Sequence, residues 1–485
     1  MKKFLVPIIG IVFFLSMVLS GCSSSSSSDA SSSGSSKGVT TIAVWNRWPE
    51  LNETFKTTIA DFEKDNPNIH VKLTNVPSAQ YTAQLQAAIQ GNQLPDIFGY
   101  TPSLSLSQLT QLGVIRNIDD VITNKKKDQF VQGTWAEGYT TLKNKVYQFP
   151  LMIGYHYTNM MFYNKDILKK YGITQIPKTW GQFIKDGEQI YQKSNGKTYG
   201  LIVGGNASTN FETNGEIMAM AASISPDVFW NSGGVTGIDY KTGKYDFDTS
   251  GIVDTMNFFK EMKDKNVLHP NSMQSDDMQS KGLFENGVAA FTFDGTMAAG
   301  VFNSDGFKDW GVAAMPTKDG NPYYEGFQGE SPAGLLVSEN TKHYKEVKLF
   351  LDYMFEHFYK NLAKNGVEEP PVKSAMQGIT LPYPQFKDVA DLQNKIKILA
   401  PNPYNKNLAT VDVIANAQSN EPTDSLGTVL QGYLSGQISD IQSALKQRTD
   451  KYNKALSDAI KQSNGKVSQS DFQFPDWTPF QPYNH

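Results

Sequence analysis

"TTIAVWNRWPELNETFKTTIADFEKDNPNIHVKLTNVPSAQYTAQLQAAIQGNQLPDIFGY", residues 40 to 100, switches period four times. Thr40 to Trp45 is a short β-rich run. Leu51, Phe55, Ile59 and Phe62 then recur at helical spacing until Asn66-Pro67 stops the helix, because proline cannot continue it. Ile69, Val71 and Leu73 alternate as a strand, Tyr81 to Gln90 reads as a second helix closed by Gly91, and Asp96 to Tyr100 follows Pro95 as a third strand. This order is βαβαβ. Right-handed crossovers make such a unit a parallel sheet, with its ligand crevice outside the carboxyl ends of the strands. Two loops therefore point into that crevice, Asn46-Arg47-Trp48-Pro49-Glu50 and the one beginning at Tyr100-Thr101-Pro102-Ser103. Neither carries the glycines of a phosphate cradle, and the chain contains no G-x-G-x-x-G and no G-x-x-x-x-G-K-[ST], which argues against a nucleotide enzyme.

On the amino-terminal side, Lys2 and Lys3 precede a mostly apolar run from Phe4 to Leu19. That run suits the h-region of a secretory signal and is shorter than the roughly 20 residues of a membrane span. Leu19-Ser20-Gly21-Cys22 resembles the bacterial lipobox, in which the cysteine sulfur is lipidated and the cysteine becomes the new N-terminus. Residues 1–22 are therefore expected to be a lipoprotein signal peptide ending at lipidated Cys22; a plain secretory signal or an uncleaved anchor is the competing reading. Residues 23–38, rich in serine and glycine, cannot bury enough apolar surface to fold and read as a flexible linker. Cys22 is the only cysteine, so the folded part uses no internal disulfide.

The net charge of -4 argues against a nucleic-acid partner. Of 44 basic residues only Arg47, Arg116 and Arg448 are arginine, a bias that with the lipobox points to a Gram-positive type of cell. There the chain would be anchored on the outer face of the cytoplasmic membrane. The mature chain, about 460 residues, is long enough for two or three domains.

"KNKVYQFPLMIGYHYTNMMFYNKDILKKYGITQIPKTWGQF", residues 143 to 183, resembles the stretch typical of family 1 extracellular solute-binding proteins of ABC importers: a G-K-x-Y-x-x-P opening, a strand ending in Y-N-K-D, an amphipathic helix and P-K-T-W. Further matches follow in the family's order at "LPDIF" (94–98), "LFENGVAAFTFDGTMAAG" (283–300), "WGVAAMP" (310–316) and "AGLLVSENTKHYKEVKLFLDYMF" (333–355), with closing helices near 430–456. The sugar-binding branch, which includes maltose-binding proteins, is nearest in character. The resemblance implies an α/β, two-lobed periplasmic-binding-protein-like (type II) hinge fold, with a parallel-rich sheet in each lobe and a helical C-terminal part. Lobe 1 would take 39–155 and 312–370, and lobe 2 would take 156–311 and 371–485. The chain would cross near Gly154-Tyr155, Gly311 and Pro370-Pro371. It further implies a monomer without cofactor that captures an extracellular oligosaccharide and delivers it to ABC permease subunits.

A neutral, polyhydroxylated ligand asks for aromatic faces on its C–H faces and for carboxylates or amides at its hydroxyls. Trp48 fits the first role, with Arg47 beside it; its structural alternative is packing on Pro49. Trp45 ends the strand itself and suits core packing better. Tyr100 begins the second loop. In "MIGYHYTNMMFYNKD" the family places a ligand-facing residue at the position of Tyr157, and period-2 alternation puts Tyr155 on the same face, with His156 on the other as a structural histidine. Asp294 and Gly295 follow the buried-looking strand 288–293. Many relatives have an aromatic two residues after that glycine, where this chain has Met297; Phe229 or Trp230 of "SPDVFWNSGG" could replace it. Phe327, Gln328 and Glu330 of "EGFQGES" are further candidates.

An extracellular carbohydrate-active hydrolase is the competing class. "GESPAG", 329 to 334, lacks the strand-then-helix context of a nucleophile elbow, and a glycosidase pair such as Asp294 and Glu330 would need a separation of about 5 to 9.5 Å. A receptor for another polar solute is a further alternative. The six histidines show no metal-ligand spacing, and a calcium loop at 246–248 would lack a full EF-hand pattern.

Overall fold

In the strand Thr40–Asn46, Ile42, Val44 and Asn46 turn inward, and the strand lies between two parallel neighbours, Ile69–Asn75 and Ile97–Gly99. The helix Asn52–Asp65 between them buries Phe55, Ile59 and Phe62. Its apolar stripe meets the long helix Tyr344–Asn365, with Phe55 on Phe358 and Phe62 on Phe350 at centroid distances of 5.1 Å. Such ring pairs contribute about 0.5 to 1.5 kcal/mol each beyond their area burial. The computed structural model describes residues 38–101, 103–153, 157–206, 211–229, 236–328, 333–422 and 424–483, with backbone only at 78–79 and 211–214.

Beyond Ile97–Gly99 the first sheet continues with Gly334–Ser338, which runs antiparallel to it and also pairs with Ile115–Arg116 and Phe149–Pro150. A second sheet has the order 310–313, 159–164, 289–295, 199–202. Each sheet has its own apolar core: Val44, Ile97, Leu335 and Phe358 belong to the first, and Leu201, Phe291, Phe293 and Phe183 to the second. The C-terminal helices Thr410–Gln418, Leu426–Ser435 and Ile441–Gln462 add Ile414, Leu430 and Leu445 to the second core.

The expectation of parallel-rich sheets holds for the opening βαβαβ and fails elsewhere. In the second sheet only 289–295 with 199–202 is parallel, and 159–164 is antiparallel to both of its neighbours. The cause is the route of the chain. A strand that arrives from the other lobe enters at the crevice end, where its neighbours finish, and so runs against them.

The strand pairing puts the second and third crossings later than the sequence suggested, whereas the first falls in the expected interval. Leu151 N donates to Ala333 O in the first lobe and Thr296 N donates to Thr158 O in the second, which brackets the first crossing; Gly154, Tyr155 and His156 are outside the described residues. At the expected second crossing, Trp310–Ala313 is still paired in the second sheet, and the indole of Trp180 donates to Pro316 O at 2.9 Å. The chain then forms Glu325–Phe327, parallel to Lys397–Leu399, before rejoining the first sheet. The long helix already ends at Asn365, capped by Gly366, and Pro370-Pro371 is not a crossing: Val131 N donates to Pro371 O and Phe130 bridges Val372, within the first lobe. Tyr383 and Phe386 are the next buried side chains in the second lobe's packing.

Candidate functional site

The loop after the first strand is fixed by one amide. Asn46 Nδ2 donates to Trp48 O at 2.8 Å, and Asn46 Oδ1 accepts from Trp48 N at 3.1 Å. The Trp48 ring, 8% exposed, lies so close to Gly99 that a Cβ there would be 2.8 Å from it. Arg47 Nη1 donates to Tyr100 O at 3.1 Å, and its guanidinium is 5.2 Å from the Trp48 ring centroid and 5.7 Å from that of Tyr81. Tyr81 OH in turn donates to Gly99 O at 2.6 Å. Arg47, Trp48, Tyr81 and Tyr100 are thus one cluster at the carboxyl ends of the first sheet. Burial lowers the Arg47 pKa and raises those of both tyrosines, so the hydroxyls stay protonated donors. Tyr81, which reads in the sequence only as the start of a helix, belongs to this cluster because that helix begins at the crevice end.

The second wall is the end of the strand Ala289–Gly295. Asp294 Oδ2 lies 3.0 Å from Lys281 Nζ, and its Oδ1 accepts from Gly295 N at 2.7 Å. Lys281, from the helix Asp277–Glu285, also pairs with Asp277 and is itself buried. Burial raises the Asp294 pKa, opposed by Lys281. The carboxyl of Glu216 is fully buried with no hydrogen-bond partner among the described residues; burial, with Asp294 adding to it, pushes its pKa well above the usual carboxylate range. Gly295 faces the ring of Tyr157, where a Cβ would be 2.5 Å from a ring carbon. Beside it, Asn159 Nδ2 donates to Glu325 Oε1 at 2.9 Å, and Lys397 Nζ is 2.8 Å from Glu325 Oε2.

The walls meet. Ser107 of the first lobe donates to Asp412 of the second, Gln111 Nε2 reaches the same carboxylate at 3.3 Å, and the Tyr139 and Tyr404 rings are 5.3 Å apart. Met297, at the position where relatives have an aromatic, packs against the first lobe's core.

The structure therefore brings Arg47, Trp48 and Tyr100 together on one wall, and Tyr157, Asp294 and Gly295 on the other. Phe327 is buried in the crossing strand. Phe229 is buried against Tyr240, stacked at 5.7 Å, and does not supply the missing aromatic. Gln328 donates to Pro401 O at 3.1 Å and is also buried in that packing. Trp45 is half-buried against a side core, as expected of a strand residue. Tyr155, Trp230, Glu330 and Cys22 lie outside the described residues. Among the described residues, no group of three His, Cys, Asp or Glu side chains is placed to hold a metal ion.

Residues 48–357 match the profile of the bacterial extracellular solute-binding proteins, well over half of the chain. The chain belongs to that family. It is 28% identical over 364 residues to the multiple sugar-binding protein of Streptococcus mutans, covering 72% of this chain and 78% of that one. Among solved structures, it is similar to the maltose/maltodextrin-binding domain of Bdellovibrio bacteriovorus bound to maltotriose, with TM-score 0.65, 19% identity, and coverage of 86% of this chain and 100% of that one. An ABC substrate-binding protein of Listeria monocytogenes in complex with cycloalternan matches with TM-score 0.63 and 19% identity, over 86% of this chain and 99% of that one. The two-lobed, maltose-binding-protein-like fold of this family member is thereby established, and its relatives are binding proteins.

Proposed function

We propose that this chain is the substrate-binding subunit of an ABC importer, and that it captures an oligosaccharide between its lobes and hands it to membrane permease subunits. The observation that supports the reading is the cluster of Arg47, Trp48, Tyr81 and Tyr100 at the carboxyl ends of one sheet, together with Asp294 and Tyr157 at the crevice end of the other. Aromatic faces suit a sugar's C–H faces, and buried donors and acceptors suit its hydroxyls. The sugar named for the Streptococcus mutans relative and the maltotriose of the Bdellovibrio structure support the same class.

In this reading Arg47, Trp48, Tyr100, Tyr155, Tyr157, Trp230, Asp294, Gly295 and Glu330 remain the ligand-binding candidates, with Tyr81 added. Lobe 1 takes 39–153 and about 333–375, and lobe 2 the remainder of 157–485. Lipid on Cys22 tethers a monomer to the outer face of the cytoplasmic membrane, and residues 23–38 act as a leash that raises its concentration near the permease. Titration calorimetry against neutral oligosaccharides at low and high salt tests the ligand class. Saturable binding that salt barely changes is expected, because a neutral sugar offers no long-range charge to screen. A steep salt dependence replaces the sugar with a charged solute, and turnover of any oligosaccharide replaces binding with hydrolysis.

A further inference from the structure

We propose that the C-terminal segment 472–483 is a strap that ties the crossing strand Glu325–Phe327 to the second-lobe strand Lys397–Leu399 beside it, and so biases the hinge between the lobes from outside the crevice. The segment is anchored first on the second lobe. Phe474 N donates to Tyr240 O, and the rings of Phe474 and Trp477 lie 5.0 and 5.3 Å from that of Tyr240. Lys406 Nζ donates to Ser470 O and Gln473 O, both at 2.7 Å. The far end then reaches the crossing. Tyr483 N donates to Leu399 O at 2.8 Å, at the end of one paired strand, and the Phe480 ring is 5.3 Å from Tyr324, the residue before the other.

Phe480 has φ +63°. A bulky residue in the left-handed region is strained, and such strain persists where surrounding contacts over-determine the conformation. Here the surroundings are the ring of Tyr324 and the two anchors that flank Phe480. The two strands pair over three residues each, extended by Ala400 N donating to Phe327 O, and the buried Lys397–Glu325 ion pair and the bonds of Gln328 and Asn402 join them on the inner side. A strand pair of that length is marginal alone. The strap therefore adds a third layer to the segment that must flex when the lobes separate.

Hydrogen–deuterium exchange on the full-length chain in detergent, without added ligand, tests this. Phe480→Ala and Tyr324→Ala are expected to speed exchange in strands 325–327 and 397–399 by roughly threefold to tenfold, the range set by one aromatic pair. The helix 106–111, which faces Asp412 across the crevice, should speed up with them as the lobes part more often. The double variant should add little to either single one, since both remove the same contact, and Phe480→Tyr, which keeps the ring, should exchange like the parent. Parent-like exchange in Phe480→Ala and Tyr324→Ala overturns the proposal. So does faster exchange spread evenly over both lobes, or confined to strands 325–327 and 397–399 with helix 106–111 unchanged, because the segment then stabilises the fold without touching the hinge.

Discussion

Lys281 Nζ sits 3.0 Å from Asp294 Oδ2, and both side chains are about 5% exposed. The carboxylate that the sequence marks as a ligand acceptor is thus already half-engaged within its own lobe. It can still accept from a hydroxyl, because an ionised carboxylate has about four acceptor positions, but its charge is spoken for.

Lys281→Met should therefore be a stability variant before it is a binding variant. It leaves Asp294 buried without its cation, beside Glu216, and unpairs the partly exposed Asp277. Removing one partner of a buried pair costs about 3 to 5 kcal/mol. A urea unfolding curve should show a lower midpoint by that amount with an unchanged slope. A shift below about 1 kcal/mol, the size of an exposed pair, would mean that water reaches this cluster.

Gly99→Ala should disturb the opposite wall. The added Cβ would meet the Trp48 ring at 2.8 Å, and Arg47 lies next to it at 3.2 Å. A rigid indole held by Asn46 cannot step aside cheaply, and overpacking of this kind costs typically about 1 to 3 kcal/mol. Affinity for the bound oligosaccharide should fall by roughly tenfold or more, at about 1.4 kcal/mol per decade. Trp48→Ala should lose a similar factor through the missing face. Wild-type affinity in both variants, measured by calorimetry, would remove this wall from the site.

Stability should decline with rising pH through the weakly acidic range, and Glu421 should be one cause. Burial raises its pKa from 4.5 to about 7, opposed by the hydroxyl of Tyr245, which donates to Oε1 at 3.0 Å, and by Arg448. Between these two values the unfolded chain has lost the proton and the folded chain keeps it, so the slope of unfolding free energy against pH is negative. Glu421→Gln should flatten the decline between pH 4.5 and about 7 in thermal melts. An identical slope in parent and variant would place the titration elsewhere, with Glu216 and Glu368 as the next buried carboxyls to substitute.

The sequence was most legible where a local pattern decides the structure. Phe55, Ile59 and Phe62 marked a helix that spans Asn52–Asp65, and Gly91 caps the next one after Gln90. The place of Trp48 and Tyr100 at the carboxyl ends of the first sheet was legible because the loops after its parallel strands lie there. The crossings were not. Proline marks where a helix ends, but whether the chain then changes lobe depends on non-local pairing, as between Phe130 and Val372. Lys281 escaped for the same reason. It lies 13 positions before Asp294 and meets it only because a helix packs beside the strand.

Cys22→Ala should release the protein from the membrane while leaving the folded lobes intact, since lipid attachment is the only role proposed for that thiol. Labelled fatty acid should enter the parent and not the variant. Equal labelling and equal membrane retention would sink the lipid anchor.

The central claim is capture of an oligosaccharide by closure of two lobes, and small-angle scattering of residues 39–485 tests it most directly. A ligand that touches both walls favours the closed form by no more than its differential affinity for it. With the tightest-binding oligosaccharide at saturation, the radius of gyration should fall from its ligand-free value toward that of the apposed lobes described here. A scattering profile that does not change at saturation would contradict the account.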